Sequence, residues 1–250
     1  MTPLYETTRL LDEYLLFHYG SEEELLGHSC LPSEALHFPI RTVTEMRPTG
    51  FAAARALDLG CAVGRSAFAL SECCTEVIGI DYSHSFIAAA KRLRDGETVS
   101  YRRHEEGHVY ITLYASMRRG EEPVTSPGHV HFQQGDAMDL PVELGKFDLV
   151  HAANLICRLS HPQRLLQRLP ELVTQGGTLI LTTPCTWLED FTPSEFWPAG
   201  STLEWLKESL HPHFELEITR DLPFIIREHA RKYQLTIAQG SRWIRTSAAS

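Results

Sequence analysis

The amino-acid sequence predicts a doubly wound α/β fold built on a mainly parallel β-sheet. From residue 54 onward, strand-like segments alternate with helical segments, an order typical of parallel strands joined by crossover helices. The strand-like segments are almost continuously apolar, as expected for a sheet covered on both faces. Two further β-like stretches near the end of the chain have no long helix between them, which predicts an antiparallel hairpin at the sheet edge.

The segment that precedes this alternation has a different pattern. Apolar residues recur at helical spacing over residues 5–19, and Gly20 then ends the predicted helix. Residues 27–50 are rich in Pro and Gly, so they are predicted to be a loop that leads to the sheet.

The chain is predicted to form a single domain over residues 1–250. Residues 1–50 are expected to form a helical arm that serves as a lid, and residues 51–250 are expected to form the core. A polar stretch at about residues 97–131 interrupts the alternation of strands and helices, and we interpret it as an insertion.

The elements of the core follow in order along the chain. Strands are expected at residues 54–59, 76–81, 130–134, 147–152 and 177–183. Helices are expected at residues 65–73, after the N-cap Ser83, from Pro162 to Val173, and after the capping residue Ser201. The two late β-like stretches are residues 214–219 and 234–244, and residues 227–232 between them have helical spacing.

Composition excludes several classes of function. Acidic residues number 32 against 23 basic ones, for a net charge of −9, so neither nucleic acid nor a membrane surface is an expected partner. None of the six cysteines forms a C-x-x-C pair and the sequence shows no secretory signal, which predicts reduced thiols and a cytoplasmic location. The histidine pairs lack an organised third ligand, so no metal site is expected.

The glycine-rich turn after the first strand, residues 58–64, is the most informative motif. Gly60 and Gly64 let the backbone approach a ligand more closely than a Cβ would allow. The dinucleotide fingerprint G-x-G-x-x-G does not fit here. Asp58 is expected to pair with a cationic or amino group of the ligand, since a pyrophosphate would be repelled by a carboxylate.

The next two strands also end in acidic residues. Asp81 closes the second strand, where a carboxylate can accept hydrogen bonds from both hydroxyls of a ribose. Asp136 follows the third strand, where a carboxylate can receive an adenine amine and a backbone N–H can meet a ring nitrogen. Three acidic strand ends in succession predict a nucleoside site at the carboxyl edge of the sheet.

These motifs resemble those of class I S-adenosylmethionine-dependent methyltransferases. The resemblance covers about residues 50–250 and includes the segment from Phe147 to Ile156 at the fourth strand; Ala62 stands where many members have a third glycine. It implies a Rossmann-like sheet of seven strands with a C-terminal antiparallel hairpin, and S-adenosylmethionine as cofactor with S-adenosylhomocysteine as product. The cofactor-binding residues assigned on this basis are Arg41, Asp58, Gly60, Cys61, Gly64, Asp81, Tyr82, Ser83, Gly135, Asp136, Ala137 and Asn154.

Three segments outside these motifs, residues 5–20, 35–41 and 222–233, are similar to a narrower family. They resemble the N-methyltransferase domain of ovothiol biosynthesis, which methylates an imidazole nitrogen of 5-thiohistidine (4-mercaptohistidine). The resemblance implies a small amino-acid substrate and a separate sulfoxide synthase as a partner, because the synthase domain is not in this sequence. The chain is either a separate protein or one domain of a longer protein, and the methylated ring nitrogen stays open.

Methyl transfer from a sulfonium is an in-line displacement, so the enzyme must mainly align the reactants, and no metal is required. A neutral imidazole acceptor also needs a partner that selects its tautomer. The residues expected to position the substrate are Asn154, Arg158, Tyr5, Glu6, Tyr14 and Tyr19. Core packing is the alternative for Tyr14, and a surface position is the alternative for Arg158.

Two other functions fit the same motifs. The fold alone allows a methyltransferase for another small-molecule acceptor, and it allows a cofactor-binding module without catalysis. Three acidic strand ends in register argue against such a module. A nucleic-acid methyltransferase is disfavoured by the net charge of −9 and by the absence of an N/D-P-P-Y/W motif at the fourth strand.

Overall fold

A computed structural model describes residues 6–27, 31–119, 122–123 and 128–247. The helices are α1 Thr8–Tyr19, α2 Glu22–Leu26, α3 Phe38–Thr44, α4 Arg65–Ser71, α5 His84–Arg94, α6 Pro162–Leu172 and α7 Thr202–Leu210. The strands of four residues or more are β1 Ala53–Leu59, β2 Cys74–Asp81, β3 Val99–Glu106, β4 Val109–Ala115, β5 His129–Gln134, β6 Phe147–Ala153, β7 Val173–Thr183, β8 Phe214–His229 and β9 Lys232–Arg245.

Seven of these strands form one sheet, in the order β8-β9-β7-β6-β1-β2-β5. The strands from β7 to β5 are parallel to one another. Strand β9 runs antiparallel to both β7 and β8 and so forms the hairpin at the edge. The predicted sheet, mainly parallel with a C-terminal antiparallel hairpin, is confirmed.

Helices cover both faces of the sheet. Successive strand residues point to opposite faces, so neighbouring residues of one strand pack against different helices. On β1, Ala56 belongs to a buried apolar cluster with residues of α1, α3, α4 and α5. Its neighbour Leu57 belongs to a second cluster with residues of α6 and α7. Both side chains are fully buried, which explains why the strands read as continuously apolar in the sequence.

The N-terminal arm is part of this core. Thr7 caps α1 by accepting a hydrogen bond from the Leu10 backbone at 3.3 Å. Leu15 and Leu16 of the same helix are buried in the first apolar cluster. The arm therefore packs as firmly as the helices between the strands. No helix in the described ranges is long and apolar enough to cross a membrane.

Two sequence predictions were wrong. The segment predicted as a loop, residues 27–50, contains α3, which begins with a proline in its first turn, a position where the fixed φ of proline suits a helix. Residues 227–232 are not helical, because β8 runs on to His229 and β9 begins at Lys232. The sequence pattern did not indicate a strand here because Pro223 is unfavourable inside a sheet. The proline is tolerated because β8 lies at the sheet edge.

The predicted insertion holds a small ribbon of its own. Strands β3 and β4 pair antiparallel, with Val99 opposite Ala115 at one end and Glu106 opposite Val109 at the other. The ribbon packs against α1, and the Glu105 carbonyl accepts a hydrogen bond from the Ala230 backbone N–H at 3.0 Å. The ribbon thus supports the arm and the tip of the hairpin from outside the main sheet.

Candidate functional site

A cavity of about 440 Å³ lies at the carboxyl ends of the parallel strands, beneath α1. One side, which we call the strand-tip wall, is formed by residues that follow β1, β2, β5 and β6: Gly60, Ala62, Asp81, Tyr82, Gly135, Asp136, Ala137, Asn154 and Leu155. The other side, the arm wall, is formed by α1, α3 and the hairpin: Arg9, Leu10, Glu13, Tyr14, Phe17, His18, Phe38, Pro39, Phe224, Ile226, Glu228 and Gln234. Arg158 lies beside the strand-tip wall.

The glycine turn after β1 gives the cavity its floor. Gly60 and Gly64 have φ values of 67° and 90°, which L-residues with a Cβ rarely adopt. A Cβ on Gly64 would lie 2.6 Å from the Phe132 ring, so this position also needs the small residue for packing. Gly60 and Ala62 face the cavity, whereas Cys61 is buried and neither it nor Gly64 lines the cavity.

Asp81 is a carboxylate of the strand-tip wall whose two oxygens both accept backbone hydrogen bonds. One oxygen accepts a hydrogen bond from the Ala62 backbone at 2.9 Å, and the other accepts one from the Ser83 backbone at 2.9 Å. Burial raises the pKa of Asp81 to about 6, and the two backbone hydrogen bonds oppose that rise. Ser83 itself is buried and caps α5, so it supports Asp81 without lining the cavity.

The third strand end supplies a second carboxylate. Asp136 accepts a hydrogen bond from the Met138 backbone at 2.8 Å through one oxygen. Its other oxygen has no hydrogen-bond partner among the residues that the structure describes, and the side chain lines the cavity together with Ala137. Asp136 can therefore receive a donor from a ligand.

Asn154 ends β6 in an unusual backbone conformation, with a φ of 52°. Its backbone N–H donates to the Thr182 carbonyl at 2.8 Å, and its side-chain oxygen accepts from the Thr182 hydroxyl at 3.1 Å. The side-chain amide nitrogen has no partner in the described ranges. Because both backbone and side chain are anchored to β7, the free NH₂ group is held in place at the cavity.

Arg158 lines the cavity without an acidic partner in the described part of the chain. Its guanidinium stacks over the Phe191 ring at 4.7 Å and donates to the Thr186 carbonyl at 3.2 Å. The position of the cation is thus set by neutral groups, and its charge is available to an anionic group of a ligand.

Asp58 does not line the cavity, contrary to the expectation of a direct ligand contact. It is 1% exposed, accepts a hydrogen bond from the Ser66 hydroxyl at 2.6 Å, and lies 2.7 Å from Nδ1 of His151. The other ring nitrogen of His151 is 3.0 Å from the Thr42 hydroxyl. Asp58 therefore ties β1 to α4, β6 and α3 beneath the turn.

Arg41 also lies away from the cavity lining. Its guanidinium pairs with Glu45 at 2.6 Å and donates to the Pro223 carbonyl at 2.9 Å. These contacts join α3 to β8, and the sequence contains no signal that distinguishes this role from a ligand contact.

The residues expected to position the substrate have different surroundings. Tyr14 lines the cavity and packs on the Phe86 ring with centroids 4.6 Å apart. Glu6 accepts hydrogen bonds from the first backbone N–H groups of α5. Tyr19 donates to the Val63 carbonyl at 2.7 Å and so fastens α1 to the glycine turn. Tyr5 is outside the described residues.

The arm wall contains functional candidates that the sequence did not single out. Phe17, Phe38 and Phe224 come from three different elements, and their ring centroids lie 4.6–6.1 Å apart. They form an apolar face that a planar ring can pack against. Phe38 and Phe224 fall within the resembling segments 35–41 and 222–233, but nothing in the sequence alone brings them together.

The outer rim of the arm wall carries charges of both signs. Arg9 pairs with Glu13 at 2.9 Å, and Glu228 pairs with Lys232 at 2.7 Å and accepts from the Gln234 amide at 2.7 Å. The contacts with Lys232 and Gln234 lower the pKa of Glu228, so its carboxylate is ionised at neutral pH. No group of three or more metal-ligating side chains occurs in the described ranges.

The strand-tip wall fits S-adenosylmethionine. The turn at Gly60 leaves space that a Cβ would narrow, since a Cβ there would lie 3.0 Å from the Leu155 side chain. The anchored carboxylate of Asp81, the free oxygen of Asp136 and the free amide of Asn154 offer acceptors and a donor in the order that a ribose, an adenine and an amino-acid tail require.

The chain matches one family model, and its structure is similar to those of several solved proteins. Residues 32–220 match the family model described as a methyltransferase domain. The structure is similar to that of the cyclase SpnF, with a TM-score of 0.60 and 17% identity over 97% of this chain and 94% of that one. It is also similar to the N-methyltransferase NodS from Bradyrhizobium japonicum, solved with S-adenosylhomocysteine, with a TM-score of 0.53 and 13% identity over 95% and 99%.

The YcgJ protein from Bacillus subtilis shares the fold as well, with a TM-score of 0.53 and 14% identity over 84% of this chain and 99% of that one. No curated protein matches the sequence. The family match covers well over half of the chain. The chain therefore belongs to the methyltransferase-domain family, which confirms the predicted class of enzyme and its predicted cofactor, S-adenosylmethionine.

Proposed function

We propose that this methyltransferase transfers a methyl group to an imidazole nitrogen of 5-thiohistidine. The observation that carries the proposal is the composition of the cavity. The strand-tip wall has the groups that hold a nucleoside, and the arm wall faces it with aromatic rings and charges of both signs. A small aromatic amino acid is the acceptor that matches such a wall.

When bound, S-adenosylmethionine supplies an electrophilic methyl group on its sulfonium. In our proposal Asp81 accepts both ribose hydroxyls, because its two oxygens are already oriented by backbone N–H groups. Asp136 receives the adenine amine and Asn154 donates its free amide to the amino-acid tail. The turn at Gly60 and Ala62 lets the backbone lie against the ligand.

The acceptor ring packs against the phenylalanines of the arm wall, and Tyr14 closes the same face. Arg158 binds the acceptor carboxylate, since it is the cation beside the cavity that carries no acidic partner in the described ranges. The rim carboxylates of Glu13 and Glu228 receive the ammonium group. Helix α1 excludes water from these contacts, which strengthens each hydrogen bond.

The resemblance of residues 5–20, 35–41 and 222–233 to the ovothiol family supports the choice of 5-thiohistidine among such acceptors. On this proposal a separate sulfoxide synthase supplies the substrate. The protein then acts in the cytoplasm, where a thiol stays reduced. The described cysteines are all free thiols, which is consistent with that compartment.

The test is an incubation with isotope-labelled S-adenosylmethionine and a panel of acceptors, read by mass spectrometry. The panel contains 5-thiohistidine, histidine, histamine and cysteine. We expect methylation of 5-thiohistidine on nitrogen, assigned by fragmentation of the product. A labelled methyl group on histidine or cysteine with none on 5-thiohistidine would overturn the substrate and leave a methyltransferase of another small molecule.

A further inference from the structure

His18 has no role in the function described so far, although it stands in the arm wall. It lies in the last turn of α1 and lines the cavity. Its Nδ1 atom is buried and has no hydrogen-bond partner among the residues that the structure describes. Such atoms are rare in folded proteins, because a buried polar group without a partner loses its hydrogen bonds to water and gains none in return. The ring itself lines the cavity, and its second nitrogen, Nε2, is not among the buried atoms and has no hydrogen-bond partner in the described ranges, so His18 is a candidate contact for a ligand.

The position of His18 is firmly set. The next residue, Tyr19, donates its hydroxyl to the Val63 carbonyl at 2.7 Å. One turn earlier, Tyr14 stacks on the His18 ring with centroids 5.8 Å apart, and the Phe17 ring meets it edge-on at 5.5 Å. The imidazole is thus held between the aromatic rings of the arm wall, close to the glycine turn after β1.

His18 is uncharged in this environment. Burial is the main cause that lowers its pKa to about 3, and the nearby charge of Arg65 acts in the same direction. A neutral imidazole keeps one nitrogen as an acceptor and one as a donor. It also avoids placing a second cation beside a sulfonium.

We propose that His18 holds the acceptor ring by accepting a hydrogen bond from one ring N–H, which leaves the other ring nitrogen free for methylation. The proposal rests on the function proposed above and deepens it, since it names the group that selects the acceptor tautomer. The strand-tip wall already supplies polar partners for the cofactor, whereas the phenylalanines of the arm wall can offer the acceptor no hydrogen bond.

The chemistry gives this contact a role in the rate as well as in binding. The acceptor nitrogen uses its lone pair to bond the methyl carbon, the carbon–sulfur bond breaks with its electrons left on sulfur, and the ring takes the positive charge. The N–H that faces His18 becomes a stronger donor as that charge develops, so the hydrogen bond strengthens toward the transition state. The proton stays on the methylated ring and is lost to water after release.

The test compares His18→Phe, which keeps a ring without nitrogen, with His18→Gln, which keeps a hydrogen-bonding group. His213→Gln is the matched control, because His213 also has a buried Nδ1 without a partner in the described part of the chain but does not line the cavity. Thermal unfolding confirms that each variant is folded. Calorimetry measures the affinity of each for S-adenosylhomocysteine and, with that product bound, for the acceptor; turnover is measured separately.

We expect His18→Phe to weaken acceptor binding and to lower kcat, each by about tenfold. Its affinity for S-adenosylhomocysteine should stay within about twofold of the original, and the control should match the unaltered protein. His18→Gln should recover part of the acceptor affinity. Normal acceptor binding and kcat in His18→Phe would overturn the proposal, and so would a loss confined to S-adenosylhomocysteine or an equal loss in the control.

The outcome is separable from that of the proposed function. If another imidazole is methylated in place of 5-thiohistidine, the proposed substrate fails and His18→Phe is measured with that imidazole. If the protein methylates only acceptors without an imidazole, both proposals are overturned. If 5-thiohistidine is methylated equally well by His18→Phe, the function stands and the role of His18 is overturned.

Discussion

The two walls of the cavity differ in how the chain builds them. Along the strand-tip wall, each polar residue lies at or just after the end of a strand of one continuous sheet, so its position is set by the ends of neighbouring parallel strands. Along the arm wall, residues as far apart as Glu13 and Gln234 meet only because α1 and the β8–β9 hairpin pack over the same opening.

The difference separates what the fold family shares from what one member can change. The strand ends must stay in register for the sheet to form, so a nucleoside site there accompanies the fold. The arm and the hairpin can exchange cavity-lining side chains while the strand ends stay in register, and our proposal assigns specificity for an acceptor to them. If this division holds, substitutions in one wall should leave the ligand of the other wall almost unaffected.

The largest expected effect belongs to Asp81→Asn. Loss of the charged acceptor should weaken S-adenosylhomocysteine binding by about 1–3 kcal/mol, the range for hydrogen bonds to a charged group. Calorimetry measures that affinity, and Asp139→Asn is the control because Asp139 is an exposed acid near the cavity that does not line it. Unchanged binding in a folded Asp81→Asn protein would break the assignment of the strand-tip wall to the cofactor.

Arg158→Gln should act on the other ligand. Removal of the unpaired cation should raise the KM of an amino-acid acceptor about tenfold, while the affinity for S-adenosylhomocysteine stays the same. Steady-state kinetics at saturating cofactor measure the change, and Arg164→Gln on the exposed face of α6 is the control. An equal rise in KM for histamine, which has no carboxylate, would contradict the proposed contact.

The pKa of Asp81 predicts a pH dependence for the strand-tip wall. Burial raises that pKa from 3.8 to about 6. Because the folded protein holds the proton more tightly than the unfolded chain, the contribution of Asp81 to the free energy of unfolding falls as the pH rises from about 4 to about 6. The proposed ribose contact requires the ionised carboxylate, and at pH 5 only about one molecule in ten is ionised. Affinity for S-adenosylhomocysteine should therefore rise up to about tenfold from pH 5 to pH 7.

The same titration of Asp81→Asn should be flat, because the side chain no longer ionises. A slope that persists in this variant would assign the pH dependence to another group. A flat profile in the unaltered protein would contradict the ribose contact.

The smallest effect concerns the contact that attaches the arm to the glycine turn. Tyr19→Phe removes the hydroxyl that fastens α1 to the Val63 carbonyl, which should lower the free energy of unfolding by about 1 kcal/mol. Tyr101→Phe is the matched control, since the buried Tyr101 hydroxyl has no hydrogen-bond partner among the described residues. Urea unfolding measures both, and an equal loss in the two variants would show that the Val63 contact contributes nothing specific.

The sequence predicted much of the fold because the sheet is encoded locally. The strands around Asp58, Asp81 and Asp136 were located from apolar runs that end in turn residues, and each lies where expected. Helix α3 was missed because a proline-rich composition is also typical of loops. The second half of β8 was missed because it contains Pro223, and a proline inside a strand is tolerated only at the edge of a sheet.

The sequence by itself determined the order of strands and helices, the glycine turn and the series of acidic strand ends, since each depends on neighbours within about ten residues. Only the tertiary structure decided which of those residues line the cavity. Asp58 ends its strand much as Asp81 does, yet its carboxylate is held by Ser66 and His151 beneath the turn, whereas that of Asp81 faces the cavity. The arm wall depends entirely on packing between distant segments, and no local pattern records which faces of α1 and of the hairpin will meet.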